Sequence, residues 1–420
     1  MKRKRITLAV LFLAFFFLAS HIGLMVPEFF PVPGYFLFIV SGAAVVPLWW
    51  RRHAKKAPRM EHQRLAFLRY IIFVIVTLAL CSAILVFGDT GSFGSLIGVG
   101  GKTAGLVVVY LTLLYCSRSY SSDQLVTAFL IFAICEAGLM FFTRGEWNAN
   151  AVASRVAMTG VIGFYLAPYK SLQWGSLFLG LGVAFRYQSR TVLVGVIFAL
   201  GLMWIVKRVP RNKEMVFIAA LTVSLFLFMF SAEIRDSAET IAVNSLGSNN
   251  PIAQFFLEDK NIRKIQYDFL DRADVWEASI RTIKENLILG VGLGNESKYV
   301  GGRSHNAYLS LAVEGGVFVV FAWVMFYIMV GHFLVFHTAR YRDPATIALK
   351  DLATCLLLYM SLSAMVETSG IASISAPNNL ICLFIAFWTM STAYSIETSQ
   401  QRQFTHHPMP PIHDGFPSHR

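Results

Sequence analysis

Apolar stretches of about 20 residues recur from one end of this chain to the other, each long enough to carry an α-helix across roughly 30 Å of hydrocarbon. Twelve can be read, at 6–26, 34–50, 70–88, 103–116, 125–142, 156–169, 171–185, 191–206, 215–231, 307–335, 351–368 and 380–396. Hydrophobic residues make up 56% of the 420 positions and charged residues 14%, against about 25% charged in a soluble domain. A water-soluble globular enzyme is thereby excluded. In lipid every backbone polar group needs an internal partner, so the expected fold is all-α: a polytopic integral membrane protein of about twelve transmembrane helices. Lys2-Arg3-Lys4-Arg5 ahead of an apolar run has the outline of a signal peptide. The length of that run and the spans behind it favour an uncleaved first span.

The net charge of +12 says how such a chain sits in its membrane. With both termini on the cytoplasmic side, 22 of the 36 Lys and Arg fall inside and 14 outside. Nine of the outer cations belong to one long loop that also holds eleven acidic residues, and loops of that length translocate regardless of charge. The short outer loops keep only Lys102, Arg144, Arg155, Arg186 and Arg190. The expected organisation is an N-terminal membrane domain of nine spans (1–231), a large periplasmic loop (232–306), three C-terminal spans (307–396) and a cytoplasmic tail (397–420). Neither half repeats the other, as the halves of many transporters do. A body of this shape suits an enzyme working at the membrane surface.

Two nucleotide-site look-alikes fail on spacing. Gly98-Val-Gly-Gly-Lys-Thr103 has Leu96 where a P-loop needs its first glycine, and Gly290-Val-Gly-Leu-Gly294 does not complete a dinucleotide fingerprint and follows a helix. The five cysteines lie in or beside apolar runs without metal-ligand spacing, so neither a disulfide framework nor a metal site is expected. The histidine-bearing tail reads as a solvated end.

The polar residues that do suggest chemistry cluster on the outer side. In the long loop, Phe269, Ala273, Trp276, Ile280 and Ile283 recur at steps of three and four, which predicts an amphipathic helix over 268–286 with Asp271 as its cap. Arg272 lies one turn before Trp276. It either pairs with Asp268 or offers a bidentate, permanently charged fork to a phosphate. Gly290, Gly292 and Gly294 then permit tight turns and close backbone approach. Arg303, Ser304, His305, Asn306 and Tyr308 stand at the mouth of the tenth span, with Glu314-Gly315-Gly316 inside it. His305 either caps that helix or serves as a base, since an unperturbed imidazole titrates near pH 6.5. Arg186 and Arg190 oppose the positive-inside bias, and an anion would offset the few kcal/mol that burial near hydrocarbon costs. Arg155, opening the sixth span, is a weaker instance. Glu136, Glu314 and Glu367 need protonation, a partner or water; for Glu136 an interhelical hydrogen bond is expected.

Taken in order, Arg272, Trp276, the turn Gly290-Val-Gly-Leu-Gly294, Ser304-His-Asn-Ala-Tyr-Leu309 and Glu314-Gly-Gly316 resemble the motif series of the O-antigen ligase and polymerase superfamily of bacterial surface-polysaccharide enzymes. Gln188-Ser-Arg-Thr191 resembles its Ser-Arg-Gly/Thr element. Leu287 departs from the pattern, which often has proline there. The resemblance implies a glycosyltransferase C-like membrane fold in the bacterial inner membrane and a donor glycan on a polyprenyl diphosphate, transferred to a sugar hydroxyl on the periplasmic face. It implies an inverting, metal-independent reaction without a cofactor. Arg190 and Arg272, with Arg186 and Arg303 behind them, would stabilise the leaving diphosphate, and His305 would take the acceptor's proton. Gly290, Gly292, Gly294, Asn306, Tyr308 and Glu314 would support the site. Polymerisation of repeat units is slightly favoured over ligation to lipid A-core. A flippase of lipid-linked oligosaccharide is the alternative from another class. Partners would be the lipid-linked donor, a glycan or lipid-linked acceptor, membrane lipids and other polysaccharide-assembly proteins, with no nucleic acid.

Overall fold

The computed structural model describes residues 120–142, 149–186, 189–208, 270–292, 295–302, 304, 306–336 and 343–364, with scattered helical positions at 10–18, 244 and 381–389. Among these residues every regular element is an α-helix. In chain order they are α1 (Ser122–Phe142), α2 (Ala149–Leu166), α3 (Lys170–Arg186), α4 (Arg190–Arg208), α5 (Leu270–Glu285), α6 (Glu296–Val300), α7 (Ala307–Phe336) and α8 (Pro344–Ser363). Six of them coincide with predicted spans. By length and composition, windows in α1 and α8 are each long and apolar enough to cross a membrane. The predicted second, third, fourth and ninth segments lie outside the described residues, as do Glu367 and the glycine-rich stretch 98–103.

Local chemistry sets the helix ends. Ser121 and Gln124 form a reciprocal capping box at α1, each side chain accepting from the other's backbone N–H. Asp343 caps α8 by accepting from the Thr346 N–H, and Pro344 occupies a first-turn position that needs no N–H donor. Burial works against the Asp343 charge, yet hydrogen bonds from Thr346 and from the Ser122 hydroxyl of α1 hold its carboxyl below the usual value. Two boundaries differ from the sequence reading. The sixth span begins at Ala149, so Arg155 lies inside α2 rather than opening it. The loop helix begins at Leu270, so Asp271 sits within its first turn and is not its cap.

Small residues decide how closely the helices approach. A methyl group on Gly160 of α2 would stand 2.8 Å from the Ser176 carbonyl oxygen of α3, and Gly180 faces Gly160 across the same contact. This is small-residue packing of the kind that holds helices together in lipid, where apolar burial supplies little driving force. The outer surface of α3 carries Leu172, Trp174, Phe178 and Leu179, all exposed, as a lipid-facing surface should.

Helix α8 is the central post. Leu349, Leu352 through Leu358, Tyr359 and Met360 are buried nearly all round. Contacts with three helices fix the direction of its neighbours. Gly195 of α4 lies against the Tyr359 ring, whereas Lys207, twelve residues on, pairs with Asp351 at 2.6 Å. Ser154 of α2 shares a hydrogen bond with the Tyr359 hydroxyl, and Tyr165, eleven residues on, meets Cys355 four positions earlier in α8. In α7, the Ala307 N–H donates to the Ala364 carbonyl and the Tyr308 hydroxyl to that of Ser361. Helices α2, α4 and α7 therefore all run antiparallel to α8. Their N-terminal ends gather around its C-terminus.

Candidate active site

That gathering brings several of the sequence-predicted residues to one end of the bundle. Arg186 closes α3 and Arg190 opens α4, with Ser189 buried between them. The Ser189 N–H returns to the Ala184 carbonyl, and the Ser189 carbonyl accepts the first bond of α4 from Leu193. This tight reversal holds the two arginine backbones on either side of one turn. Arg186 is exposed. The Arg190 and Arg272 side chains lie outside the described set, as do Gly294, Arg303 and His305 entirely, so the proposed Arg272–Asp268 pairing has no structural description.

Although position 305 is not described, both of its neighbours are, and they are held firmly. The Ser304 carbonyl accepts from the Trp276 indole N–H of α5 at 2.5 Å, and the Ser304 N–H donates to Glu296 Oε1 at 3.0 Å. The other carboxylate oxygen, Glu296 Oε2, accepts from the Ser310 hydroxyl at 2.7 Å. Glu296 is 5% exposed. A buried carboxylate needs such donors to offset its lost hydration. It thus ties α6 to the 304–306 segment and to the first turn of α7. Asn306 completes the arrangement as the α7 cap, its Oδ1 accepting from the Tyr308 and Leu309 N–H groups, both at 3.0 Å. Arg272 lies one turn before Trp276 in the chain of α5.

The two glycine motifs turn out to be halves of one joint. Helix α7 breaks at Gly316, whose φ of 76° and ψ of 173° are not helical. A break leaves backbone groups without their i, i+4 partners, and near lipid these need substitutes. The glycine turn supplies them. Val291 N–H donates to the Val313 carbonyl at 2.7 Å, Gly292 N–H to the Glu314 carbonyl at 2.9 Å, and Val317 N–H to the Leu287 carbonyl at 2.9 Å. Approach this close is allowed only by missing side chains. A methyl on Gly316 would fall 2.1 Å from the Ile288 carbonyl oxygen, and one on Gly290 2.5 Å from the Glu314 carbonyl carbon. Gly290 also closes the turn that follows α5 in left-handed geometry, φ 66°, its N–H returning to the Asn286 carbonyl. Leu287 contributes its carbonyl to the joint, which proline also possesses, so the departure from the family pattern leaves this contact intact.

One expectation is corrected. On the inner face of α5, Val275, Ala278 and Ile283 pack on Val291, Val300 and Val313 and Ser279 and Thr282 are buried, whereas Ile280 is exposed. Of the predicted face, Trp276 and Ile283 are half-buried and Ile280 is not, the small Ala278 and Ser279 lying on the inner side in its place. Trp276 is half-buried because its N–H reaches Ser304. Deeper in the bundle, Glu136 of α1 is buried and attracts the Arg155 guanidinium of α2 by charge, but neither of its carboxylate oxygens accepts a hydrogen bond among the described residues, so the expected interhelical hydrogen bond is not formed. Glu314 is half-buried, with its carbonyl engaged by the glycine turn.

Glu296 was missed from the sequence. It is one of eleven acids in a long polar loop, and no spacing distinguishes it from a solvated charge. Only its burial against Ser304 and Ser310 does so.

Known proteins bear on these residues as a set. No curated protein matches the chain. The O-antigen ligase family model matches residues 175–324, a stretch that runs from α3 into α7 and contains both arginines of the α3–α4 turn, Arg272, the glycine joint, Glu296 and the 304–306 segment. Over that stretch, 150 of its 420 residues, the chain is similar to the O-antigen ligase family.

Proposed function

We propose that this protein transfers a glycan from a polyprenyl diphosphate to a sugar hydroxyl at the periplasmic face of the inner membrane. The observation that carries the reading is the gathering at one end of α8: the Arg186–Arg190 turn, and the Ser304–Asn306 segment clamped by Trp276 and Glu296. Breaking a glycosyl–diphosphate bond places negative charge on the departing phosphate oxygen. Arginines fixed in advance stabilise that charge better than water, which must reorient. Arg190 and Arg272 take this role, with Arg186 and Arg303 at the rim. His305 accepts the proton of the acceptor hydroxyl as its oxygen attacks the anomeric carbon, and the carbon–oxygen bond to the diphosphate breaks as the new one forms. A single displacement of this kind inverts the anomeric centre, and the residues named supply it without a metal.

Within this chemistry the favoured role is polymerisation of repeat units, with a second lipid-linked glycan as acceptor; ligation to lipid A-core uses the same arginines and histidine. Chain-length analysis of surface glycans in a deletion strain separates them. Single repeats on the terminal acceptor are expected for a lost polymerase. Polymer that accumulates on the lipid carrier with none attached would instead identify a ligase. A flippase would move lipid-linked glycan across proteoliposomes without forming a glycosidic bond, and that result would overturn the enzyme reading altogether.

A further inference from the structure

The tip of the glycine joint is apolar and uncovered. Leu287, Ile288 and Leu289 are all exposed, Ile288 to 62%, although they follow a helix whose next-door positions Lys284 and Glu285 are charged. Exposed apolar residues in a loop bathed by water are costly, and three in succession need a reason. The neighbours of the tip supply one. The Leu287 carbonyl bonds to the Val317 N–H, and the Ile288 carbonyl lies against Gly316. From Val317, α7 continues for 20 residues to Phe336 without a charged side chain, a length that crosses a bilayer by itself. The tip is thus fastened to the first residue of the membrane-crossing part of α7. Val317 and Phe321, both exposed, carry the same apolar surface downward, and on α5 it gives way to the charged Glu277, Arg281 and Lys284 around Ile280. Between Ile280 and Leu287 stands Lys284, whose stem can follow the apolar surface while its ammonium stays at the headgroups.

We infer that the Leu287–Leu289 turn inserts into the outer leaflet of the bilayer and holds α5 on the membrane surface. The occupant of the apolar tip is phospholipid acyl chain. The charged side of α5, where Glu277 and Arg281 pair at 3.3 Å, stays in water. An arrangement of this kind is that of an interfacial amphipathic segment, with its apolar face a few ångströms below the headgroups. The consequence is a fixed height. Trp276 of the anchored helix bonds to Ser304, so the segment bearing His305 is held at a set distance from the lipid surface, where a lipid-linked diphosphate emerges. The insertion itself rests on α7 as a span; only that consequence rests on the proposed transfer reaction.

The test uses the full chain in vesicles of phosphatidylethanolamine and phosphatidylglycerol. A thiol-reactive NBD fluorophore is placed at Ile288→Cys and, as a control, at Glu277→Cys, with labelling of the parent protein subtracted. Lipids carrying a doxyl quencher high on the acyl chain are expected to quench the 288 probe at least twofold, and aqueous iodide to leave it nearly unchanged. The 277 probe should show the reverse. Iodide quenching at 288 equal to that at 277 would put the tip in water, and quenching by neither agent would mean that protein covers it. Either result overturns the insertion. Should Ile288→Cys not fold, Leu289→Cys carries the probe to the same comparison. Glycan transfer measured on the same vesicles reports separately on the enzyme reading, because quenching does not depend on turnover.

Discussion

At the scale of single residues, the sharpest expectation concerns His305. A positioned base contributes about 10²- to 10⁴-fold, so His305→Ala should lower transfer by at least a hundredfold while binding of lipid-linked donor persists. Near-normal turnover in that variant would remove the residue as base. Glu296 is argued differently, because it acts through Ser304 and Ser310 and not on substrate. Glu296→Ala leaves the Ser304 N–H without its acceptor, a loss of about 1–3 kcal/mol where the group is buried. Expected is a fall in kcat of tenfold or more with donor KM within about twofold. Glu296→Gln keeps an oxygen for Ser304 and an amide for the Ser310 hydroxyl, so it should recover most of the lost rate. Failure of the glutamine to rescue would show that the negative charge, and not the geometry, is what matters. These two residues also mark the limit of reading by eye. His305 stood out because a histidine beside a glycine turn and an arginine is an unusual grouping. Glu296 did not, because burial of an acid depends on residues 8 and 14 positions later and leaves no local pattern.

At the scale of elements, the joint between the glycine turn and the α7 break determines whether the motifs meet. The sequence showed both glycine groups and suggested close approach, but not that each supplies the other's backbone hydrogen bonds, since 22 or more residues separate the bonded pairs. Two glycines separate conformational strain from steric exclusion. Gly301 has φ 79° and nothing within 4 Å of an added methyl, so Gly301→Ala should cost only the left-handed backbone penalty of about 1–2 kcal/mol. Gly316→Ala would hold alanine at φ 76° and ψ 173°, a region that only glycine readily adopts, at a cost of about 1–3 kcal/mol, and it drives a methyl into the Ile288 carbonyl. The sum is about 2–6 kcal/mol with the overpacking included. Thermal unfolding in detergent should therefore show a clearly larger fall in Tm for Gly316→Ala, accompanied by lost activity. Equal shifts for the two variants would mean that the joint opens without penalty. The same comparison explains why the α5 face was misjudged. Periodicity weighs residue size and hydrophobicity, and here the small polar Ser279 and Thr282 are buried while Ile280 is not.

At the scale of the whole molecule, charge and packing describe one polarity from two directions. The positive-inside argument needs only the sequence, and it puts Arg186 and Arg190 outside with Lys207 and Arg208 inside. Packing against α8 separates the same residues without reference to charge: the α3–α4 turn lies toward the Ala364 end, and Lys207 pairs with Asp351 thirteen positions down the helix. At 1.5 Å per residue the contact made by Gly195 and that made by Lys207 are about 18 Å apart along α4, most of a hydrocarbon thickness. Packing assigns ends but no compartment, whereas the cation count assigns compartments but no contacts. Together they predict that Arg186→Cys, exposed at one end, reacts with a membrane-impermeant maleimide added to intact spheroplasts. Arg208→Cys, exposed at the other, should react only after the membrane is permeabilised, with the parent protein setting the background. The reverse pattern would turn the bundle over and put the arginines in the cytoplasm. The periplasmic site would then be lost, because a diphosphate presented at the outer surface would have no cation to meet it.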